Sequence, residues 1–242
     1  MMKSNFEGKT CFISGATGGL GKEIAKELAI QKCNLFLTGR NEAKLSKLKD
    51  IIKNSAENSL KIEYQKGDLN KIEDMEKIIK NAKNSFKKFD IVINSAGIFL
   101  SKPIKNITLE EFEKTFNVNI RAPFVFCKEF SEGMIKNKWG RIVNIGSSSS
   151  YSGFKNGSIY CASKHAILGL SRTLQNELKT ENVRTFCISP GSIKTEMGKI
   201  TKDQDFETFL DPKEVAKYVV FAISFDKELI SEEIRLNRMN IE

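Results

Sequence analysis

Hydrophobic and polar positions along the chain fall into blocks of two kinds. Short apolar runs rich in β-branched and aromatic residues occupy Thr10–Ser14, Asn34–Thr38, Lys61–Gln65, Asp90–Asn94, Arg141–Ile145 and Val183–Ser189, with a weaker run at Glu233–Asn237. Between them, apolar residues recur at helical spacing over 19–32, 41–56, 70–86, 108–136, 158–180 and 211–225. Continuous apolar strands separated by helices indicate a parallel sheet covered on both faces. The pattern predicts an α/β fold: a doubly wound, mostly seven-stranded parallel sheet with helices on either side. Two helix starts carry their own signals. Thr108-Leu-Glu-Glu111 has the form of a capping box, and Asp211-Pro212 that of an N-cap followed by proline at the first helical position. No internal repeat, low-complexity tract or Pro/Ser linker interrupts the sequence, so residues 1–242 are expected to form a single domain.

Composition narrows the class. At 40% hydrophobic and 29% charged, a chain of 242 residues can bury a sizeable core, and its apolar blocks argue against disorder. No apolar stretch approaches the ~18 residues of a membrane-spanning helix, and residues 1–10 hold no hydrophobic secretory segment. A cytoplasmic protein with no membrane partner is the expectation. The formal charge is +9, from 39 Lys+Arg against 30 Asp+Glu. The lysines are spread over nearly every polar stretch and form no single block, which reads as a solvated surface with no nucleic-acid partner. Such a surface still attracts anionic ligands such as phosphates. Cysteines at 11, 33, 127, 161 and 187 show no metal-ligand spacing and read as small buried core residues. With His165 as the single histidine, a zinc site or a histidine-based triad is not expected, and no metal is assigned.

Open α/β sheets bind ligands beyond the carboxyl ends of their strands, so the segments after each strand are where chemistry is expected. After the first strand comes Gly15-Ala16-Thr17-Gly18-Gly19-Leu20-Gly21, leading into a helix. Gly15 can start a tight turn, Gly19 can admit a pyrophosphate, and Gly21 can allow close helix–strand packing. The following helix N-terminus offers N–H groups and a positive dipole end to phosphate. The second strand ends Leu37-Thr38-Gly39-Arg40-Asn41. An acid at this place holds a ribose 2′-hydroxyl, whereas an arginine accommodates a 2′-phosphate; Arg40 and the missing acid favour NADP(H) over NAD(H).

Tyr-x3-Lys occurs twice, at Tyr151/Lys155 and at Tyr160/Lys164. Ser152-Gly153-Phe154 is a poor helix former, whereas Tyr160 and Lys164 open a long helical segment in which i and i+4 share a face. Tyr160 and Lys164 are therefore the expected pair. A phenol titrates near ~10, and a neighbouring ammonium would lower that value and suit Tyr160 to acid–base work. Ser147 ends the fifth strand thirteen residues earlier, but Ser148, Ser149 and Ser150 follow it, and composition alone does not choose among the four.

Taken in order and at these spacings, the residues from about Gly8 to Met197 resemble the short-chain dehydrogenase/reductase family, in its compact single-domain branch. The resemblance implies a Rossmann fold. It makes Ser14-Gly15-Ala16-Thr17-Gly18-Gly19-Leu20-Gly21 the cofactor loop, with Ser14 in place of the usual threonine. It places Asp68-Leu69 against adenine and reads Asn94-Ser95-Ala96-Gly97 as the family's Asn-Asn-Ala-Gly motif, with Asn94 at the cofactor site and Ser95 replacing the second asparagine. It implies a catalytic set of Asn119, Ser147, Tyr160 and Lys164, and it assigns the nicotinamide end to Ile193 and Thr195 of Pro190-Gly191-Ser192-Ile193-Lys194-Thr195. Two departures stand out: a short, polar 196–210 segment where the family places its substrate lid, and a C-terminus without the usual glycine-rich ending.

The function these readings imply is an NADP(H)-dependent oxidoreductase interconverting a carbonyl and a secondary alcohol, with 3-oxoacyl thioesters among the substrates that fit. Ser147 and Tyr160 would polarise the carbonyl oxygen, Tyr160 would pass the proton, Lys164 would lower the Tyr160 pKa and bond the nicotinamide ribose, and Asn119 would support a water. Phe99, Tyr151, Phe154 and the 196–210 segment are expected to border the substrate. A homodimer or homotetramer through the helices at 108–136 and 158–180 is expected from the resemblance. The alternative is a catalytically silent NADP(H)-binding sensor or scaffold. An epimerase is disfavoured because no second substrate domain follows Thr195.

Overall fold

The computed structural model describes residues 6–55, 60–201 and 204–239; residue 56 of the expected second helix, residues 202–203 of the 196–210 segment and residues 240–242 lie outside the described residues. Strands β1 (Thr10–Ser14), β2 (Asn34–Gly39), β3 (Ile62–Lys66), β4 (Ile91–Asn94), β5 (Gly140–Ile145), β6 (Val183–Pro190) and β7 (Glu233–Leu236) match the expected runs to within a residue or two. They form one seven-stranded parallel sheet in the order β3-β2-β1-β4-β5-β6-β7. Helices α1 (Gly19–Ile30), α2 (Glu42–Ser55), α3 (Ile72–Ser85), α4 (Leu109–Phe116), α5 (Ala122–Lys136), α6 (Ser158–Leu178) and α7 (Pro212–Ala222) connect and cover it. No described helix is long and apolar enough to cross a membrane.

The strands read as continuous apolar runs because consecutive residues enter different cores. In β1, Cys11 and Ile13 join one cluster with Ile24 and Leu28 of α1, Leu45 of α2 and Val219 of α7. Phe12, between them, points to the opposite cluster with Ile78 of α3 and Phe126 and Phe130 of α5. That second core is aromatic: the Phe12 ring lies 4.6 Å from Phe126 and 4.8 Å from Phe130, centre to centre. All five cysteines are buried and free, as their apolar settings suggest. Both anticipated helix caps form. Thr108 and Glu111 make the reciprocal capping box, and the Asp211 carboxylate accepts from the Lys213 N–H beside Pro212.

The expected single helix over 108–136 is instead two α-helices joined by a π-helical turn, Asn117–Arg121. Pro123 supplies the reason. It has no N–H to give the carbonyl of Asn119, four residues back, so the regular ladder fails there. The Ala122 N–H reaches back five residues to the Asn117 carbonyl, the widened bond of a π turn.

At the amino ends of the strands, Arg141 is fully buried. Its five N–H donors are all used: on the carbonyls of Gly140 (2.7 Å), Phe225 (3.0 Å), Ile223 (3.2 Å) and Asn182 (3.4 Å), and on the Asp226 carboxylate (2.5 Å). The Trp139 ring packs against both the Lys9 ammonium, 3.7 Å from its centre, and the Arg141 guanidinium, 4.3 Å from it. Burial lowers the Arg141 pKa to about 10, with Arg184 acting the same way and Asp226 opposing, so the group remains charged at neutral pH. Replacing Arg141 with methionine takes a donor from four carbonyls, of which Asn182 keeps the Gly140 N–H and Phe225 keeps Arg184, and is expected to cost on the order of 3 kcal/mol in urea unfolding. Arg141→Lys should recover little of that, because an ammonium offers three donors against five. A loss under about 1 kcal/mol for Arg141→Met would show that the guanidinium does not hold this end together.

Candidate active site

The order of the strands creates a crevice between the carboxyl ends of β1 and β4, where chain direction across the sheet reverses. Gly15, at φ +68°, makes the turn that follows β1. A Cβ at Gly15 would sit 2.6 Å from the Cα and N of Ala96, backbone that cannot step aside, so only glycine fits. A Cβ at Gly21 would fall 2.3 Å from the Gly15 carbonyl oxygen. The first turn of α1 therefore packs on the glycine turn itself, rather than on a strand as its spacing suggests. The open side of Gly19 faces the methyl group of Thr195. Helix α1 has no side-chain N-cap and no acidic residue in its first turn, which leaves its terminal N–H groups and positive dipole end available to an anion.

A cleft of about 1420 Å³ runs from this turn along the carboxyl edge of the sheet. Gly15, Thr17, Gly19, Leu20 and Gly21 line its floor, Arg40, Asp68 and Leu69 one end, and Ser147, Tyr160, Lys164, Ile193 and Thr195 the other. Arg40 is exposed, and no carboxylate occurs at positions 38–41. Three expected members, Asn94, Asn119 and Tyr151, are absent from the lining. Asn94 points into the protein, where its amide donates to Asn144 Oδ1 (2.8 Å) across paired strands and to Cys127 Sγ (3.4 Å). Its side chain braces β4 against β5 and does not reach the cleft. Tyr151 also faces away: its hydroxyl donates to Glu233 (3.2 Å), and the Arg235 guanidinium covers its ring at 3.4 Å.

Tyr160 and Lys164 lie one turn apart on α6, as the helix-forming sequence around them predicts. The segment holding Tyr151 and Lys155 is not helical. Lys164 Nζ donates to the Ile145 carbonyl (2.8 Å) at the end of β5 and stands 5.8 Å from the Tyr160 ring centre. Ser147 is set apart from its three neighbours by a reciprocal turn: its Oγ accepts from the Ser149 N–H (3.1 Å), and its own N–H donates to Ser150 Oγ (3.1 Å). Tyr160 is 8% exposed and Lys164 7%. Burial pushes the Tyr160 phenol above its ordinary value, against the opposing hydrogen bond with Ser147. It also pushes the Lys164 ammonium down to about 8. The net direction at Tyr160 is thus upward, opposite to the lowering that a neighbouring lysine alone would produce. Desolvation outweighs the hydrogen bond with Ser147 here.

The π turn presents Asn119 under this pair. Asn119 Oδ1 accepts from the Ile98 N–H (2.8 Å), while Nδ2 donates to the Ile98 carbonyl (3.0 Å) and to Ser163 Oγ (3.0 Å). Ser163 in turn donates to the Tyr160 carbonyl (2.7 Å). The outer residues of the same turn hold the loop after β3: Asn117 donates to Asn70 Oδ1 (2.9 Å) and Arg121 to the Asn70 carbonyl (2.7 Å). Sequence reasoning does not pick out Ser163, Asn117 or Arg121. The spacing Tyr160-x2-Ser163 and the proline inside a helical run are the signals available.

The sequence profile of the family described as short chain dehydrogenase matches residues 9–205. The chain is 31% identical to an uncharacterized oxidoreductase of Staphylococcus saprophyticus over 89% of its own length and 91% of that protein's. It is 30% identical to the 3-oxoacyl-(acyl-carrier-protein) reductase of Rickettsia conorii, over 90% of each chain. Among solved structures it resembles the alcohol dehydrogenase of the archaeon Thermococcus sibiricus complexed with 5-hydroxy-NADP, at TM-score 0.86 and 28% identity, over 96% of this chain and 97% of that one. The protein belongs to the short-chain dehydrogenase/reductase family.

Burial of Lys164 gives a pH dependence with a definite sign. Below about pH 8 the lysine is protonated both folded and unfolded. Between about 8 and 10 the folded state releases a proton that the unfolded chain, titrating near 10.5, still holds, so stability rises with pH. Above about 10, Tyr160 acts in reverse, because the unfolded phenol ionises first. Relative to Lys164→Met, which lacks the titration, the wild-type protein is expected to gain on the order of 2 kcal/mol between about pH 8 and 10, read from urea midpoints. A flat difference across that range would contradict a buried, destabilised ammonium.

Proposed function

We propose that the protein is an NADP(H)-dependent oxidoreductase that interconverts a carbonyl and a secondary alcohol. The observation that carries this reading is the meeting of Ser147, Tyr160 and Lys164 in one cleft whose other wall is the uncapped N-terminus of α1. The residues suit a dinucleotide. Backbone N–H groups at Gly19, Leu20 and Gly21 would hold the pyrophosphate, Thr17 and Arg40 the 2′-phosphate end, Asp68 and Leu69 the adenine, and Ile193 and Thr195 the nicotinamide end. The bound cofactor supplies the hydride.

The protein's own part is positioning and proton transfer. Tyr160, kept protonated at neutral pH by burial, gives its proton to the carbonyl oxygen, to which Ser147 also donates. Lys164, anchored on the Ile145 carbonyl, would bond the ribose of the cofactor. The side chain of Asn119 is fully committed to Ile98 and Ser163. Its main-chain carbonyl, which Pro123 cannot engage, is the group we assign to a water that reprotonates the site. In oxidation the same proton runs back to Tyr160. The likeness to a reductase of 3-oxoacyl groups and to an alcohol dehydrogenase supports the two directions of one reaction. Assembly as a homodimer or homotetramer belongs to the same reading: Leu109 and Phe124, on α4 and α5, are 81% and 50% exposed, an apolar surface that a second copy would cover.

NADPH consumption across a carbonyl panel tests the reading. Tyr160→Phe should lower turnover by about 100-fold or more while leaving NADPH affinity within about threefold of wild type. Undiminished turnover would remove Tyr160 from the chemistry, and NADPH binding without any turnover would favour a sensor. Arg40→Ala should raise the KM for NADPH about tenfold, the loss of a charge-assisted phosphate contact, with little change for NADH. Equal effects on both cofactors would refute the 2′-phosphate role.

A further inference from the structure

The reacting end of the cleft has an aromatic wall. The Phe99 ring lies 4.9 Å from Tyr160, edge to face, and 6.0 Å from Phe154, nearly parallel at 17°. Phe154 is itself 6.4 Å from Tyr160, so the three rings form one surface around the phenol.

Both outer rings are fixed from behind. The residue before Phe99 is Ile98, whose N–H and carbonyl are both taken by the Asn119 side chain. Phe154 folds over Gly157, where a Cβ would fall 2.5 Å from the ring. Asn156 between them takes the left-handed conformation, φ 65°, and its carbonyl accepts from the Lys102 N–H (2.8 Å). That bond ties the loop carrying Phe154 to the loop carrying Phe99. A left-handed residue and a glycine in succession are what allow the ring to lie flat against its own loop.

The segment after Thr195 also brings Met197 and Ile200 to the cleft. Phe154 is 42% exposed, Met197 39% and Ile200 56%, three large apolar side chains open to solvent along one cleft. Large apolar groups gathered in this way mark a binding surface. The only carboxylates lining the described cleft are Asp68, at the adenine end, and Glu196, which is paired with Lys199 at 2.8 Å.

We propose that the site takes carbonyl compounds bearing a flat apolar group next to the C=O, an aryl or unsaturated ring, and that Phe154 sets this preference by stacking on the ring. The inference rests on the carbonyl-reductase reading above and deepens it. Rings pack in offset stacks at centre distances like those already present in the wall. A substrate ring against Phe154 places its carbonyl towards Tyr160 on the same surface, whereas a methyl group in that place leaves the wall wet.

The test compares 1-phenyl-1,2-propanedione with 2,3-butanedione, which differ by phenyl against methyl beside the same dione, in wild type and in Phe154→Ala. NADPH consumption gives kcat/KM for each. Wild type is expected to favour the phenyl compound at least about tenfold, and Phe154→Ala to cut that ratio by about three- to tenfold, mainly through KM. A second readout is calorimetric binding of 2-naphthamide, a flat aryl carbonyl that resists hydride, to the NADPH-loaded protein. Its affinity should fall by a similar factor in Phe154→Ala. A wild-type ratio near one, or a ratio and an amide affinity unchanged in the variant, would overturn the proposal. If neither dione is reduced but the amide binds and depends on Phe154, the carbonyl-reductase reading fails while the aryl slot stands. Absence of both turnover and amide binding overturns both.

Discussion

Two stretches of backbone meet at the centre of this sheet with no side chain between them, and the site depends on that contact. The turn after β1 and the segment after β4 approach so closely that a Cβ on Gly15 would overlap the main chain of Ala96. From this point α1 departs on one side and the 95–99 segment on the other, and those two departures form opposite walls of the cleft. Gly21 repeats the device further along, letting α1 rest on the Gly15 carbonyl. A methyl group at either place would move the helix N-terminus relative to the β4 end, and with it any anion held on one wall relative to chemistry on the other. The fold is thus most restrictive where it carries least side chain.

A second constraint starts from a missing N–H. Pro123 breaks the ladder of the α4–α5 rod, and the widened turn at 117–121 has residues facing two ways. Asn117 and Arg121 grip Asn70, next to Asp68 and Leu69. Asn119 grips Ile98 and, through Ser163, the main chain of Tyr160. One turn of irregular helix therefore connects the loop at the far end of the cleft to the helix that carries the phenol.

Much of this was readable along the chain, for physical reasons particular to each element. The strands were legible because a parallel sheet buried on both faces needs apolar residues at every position, and β1 sends Cys11 and Phe12 into different cores. Tyr160 was separable from Tyr151 because Ser152-Gly153-Phe154 cannot sustain a helix, whereas 158–178 can. The orientation of Asn94 was not legible. An asparagine at a strand end can face the ligand or the interior, and its partner Asn144 lies 50 residues away in another strand. Tyr151 turned outward for the same kind of reason, since Glu233 and Arg235 reach it only once β7 joins the sheet. The π turn lay between these cases: Pro123 was visible, but a proline tolerated near a helix start and one that widens a turn look alike in sequence.

The protonation states follow from the same enclosure that shapes the site. Excluding water from Tyr160 and Lys164 disfavours the charged form of each, so the phenol moves up and the ammonium down to about 8. A neutral phenol is a proton donor, which suits reduction of a carbonyl without further adjustment. Oxidation of an alcohol needs the phenolate, and there the burial acts against the chemistry. Groups that accept hydrogen bonds from Lys164 would favour its ammonium and, through it, the phenolate beside it. The hydroxyls of a ribose seated next to Lys164 are such groups. The reverse reaction therefore asks more of what fills the cleft than the forward one does, and the protein on its own stands ready as an acid.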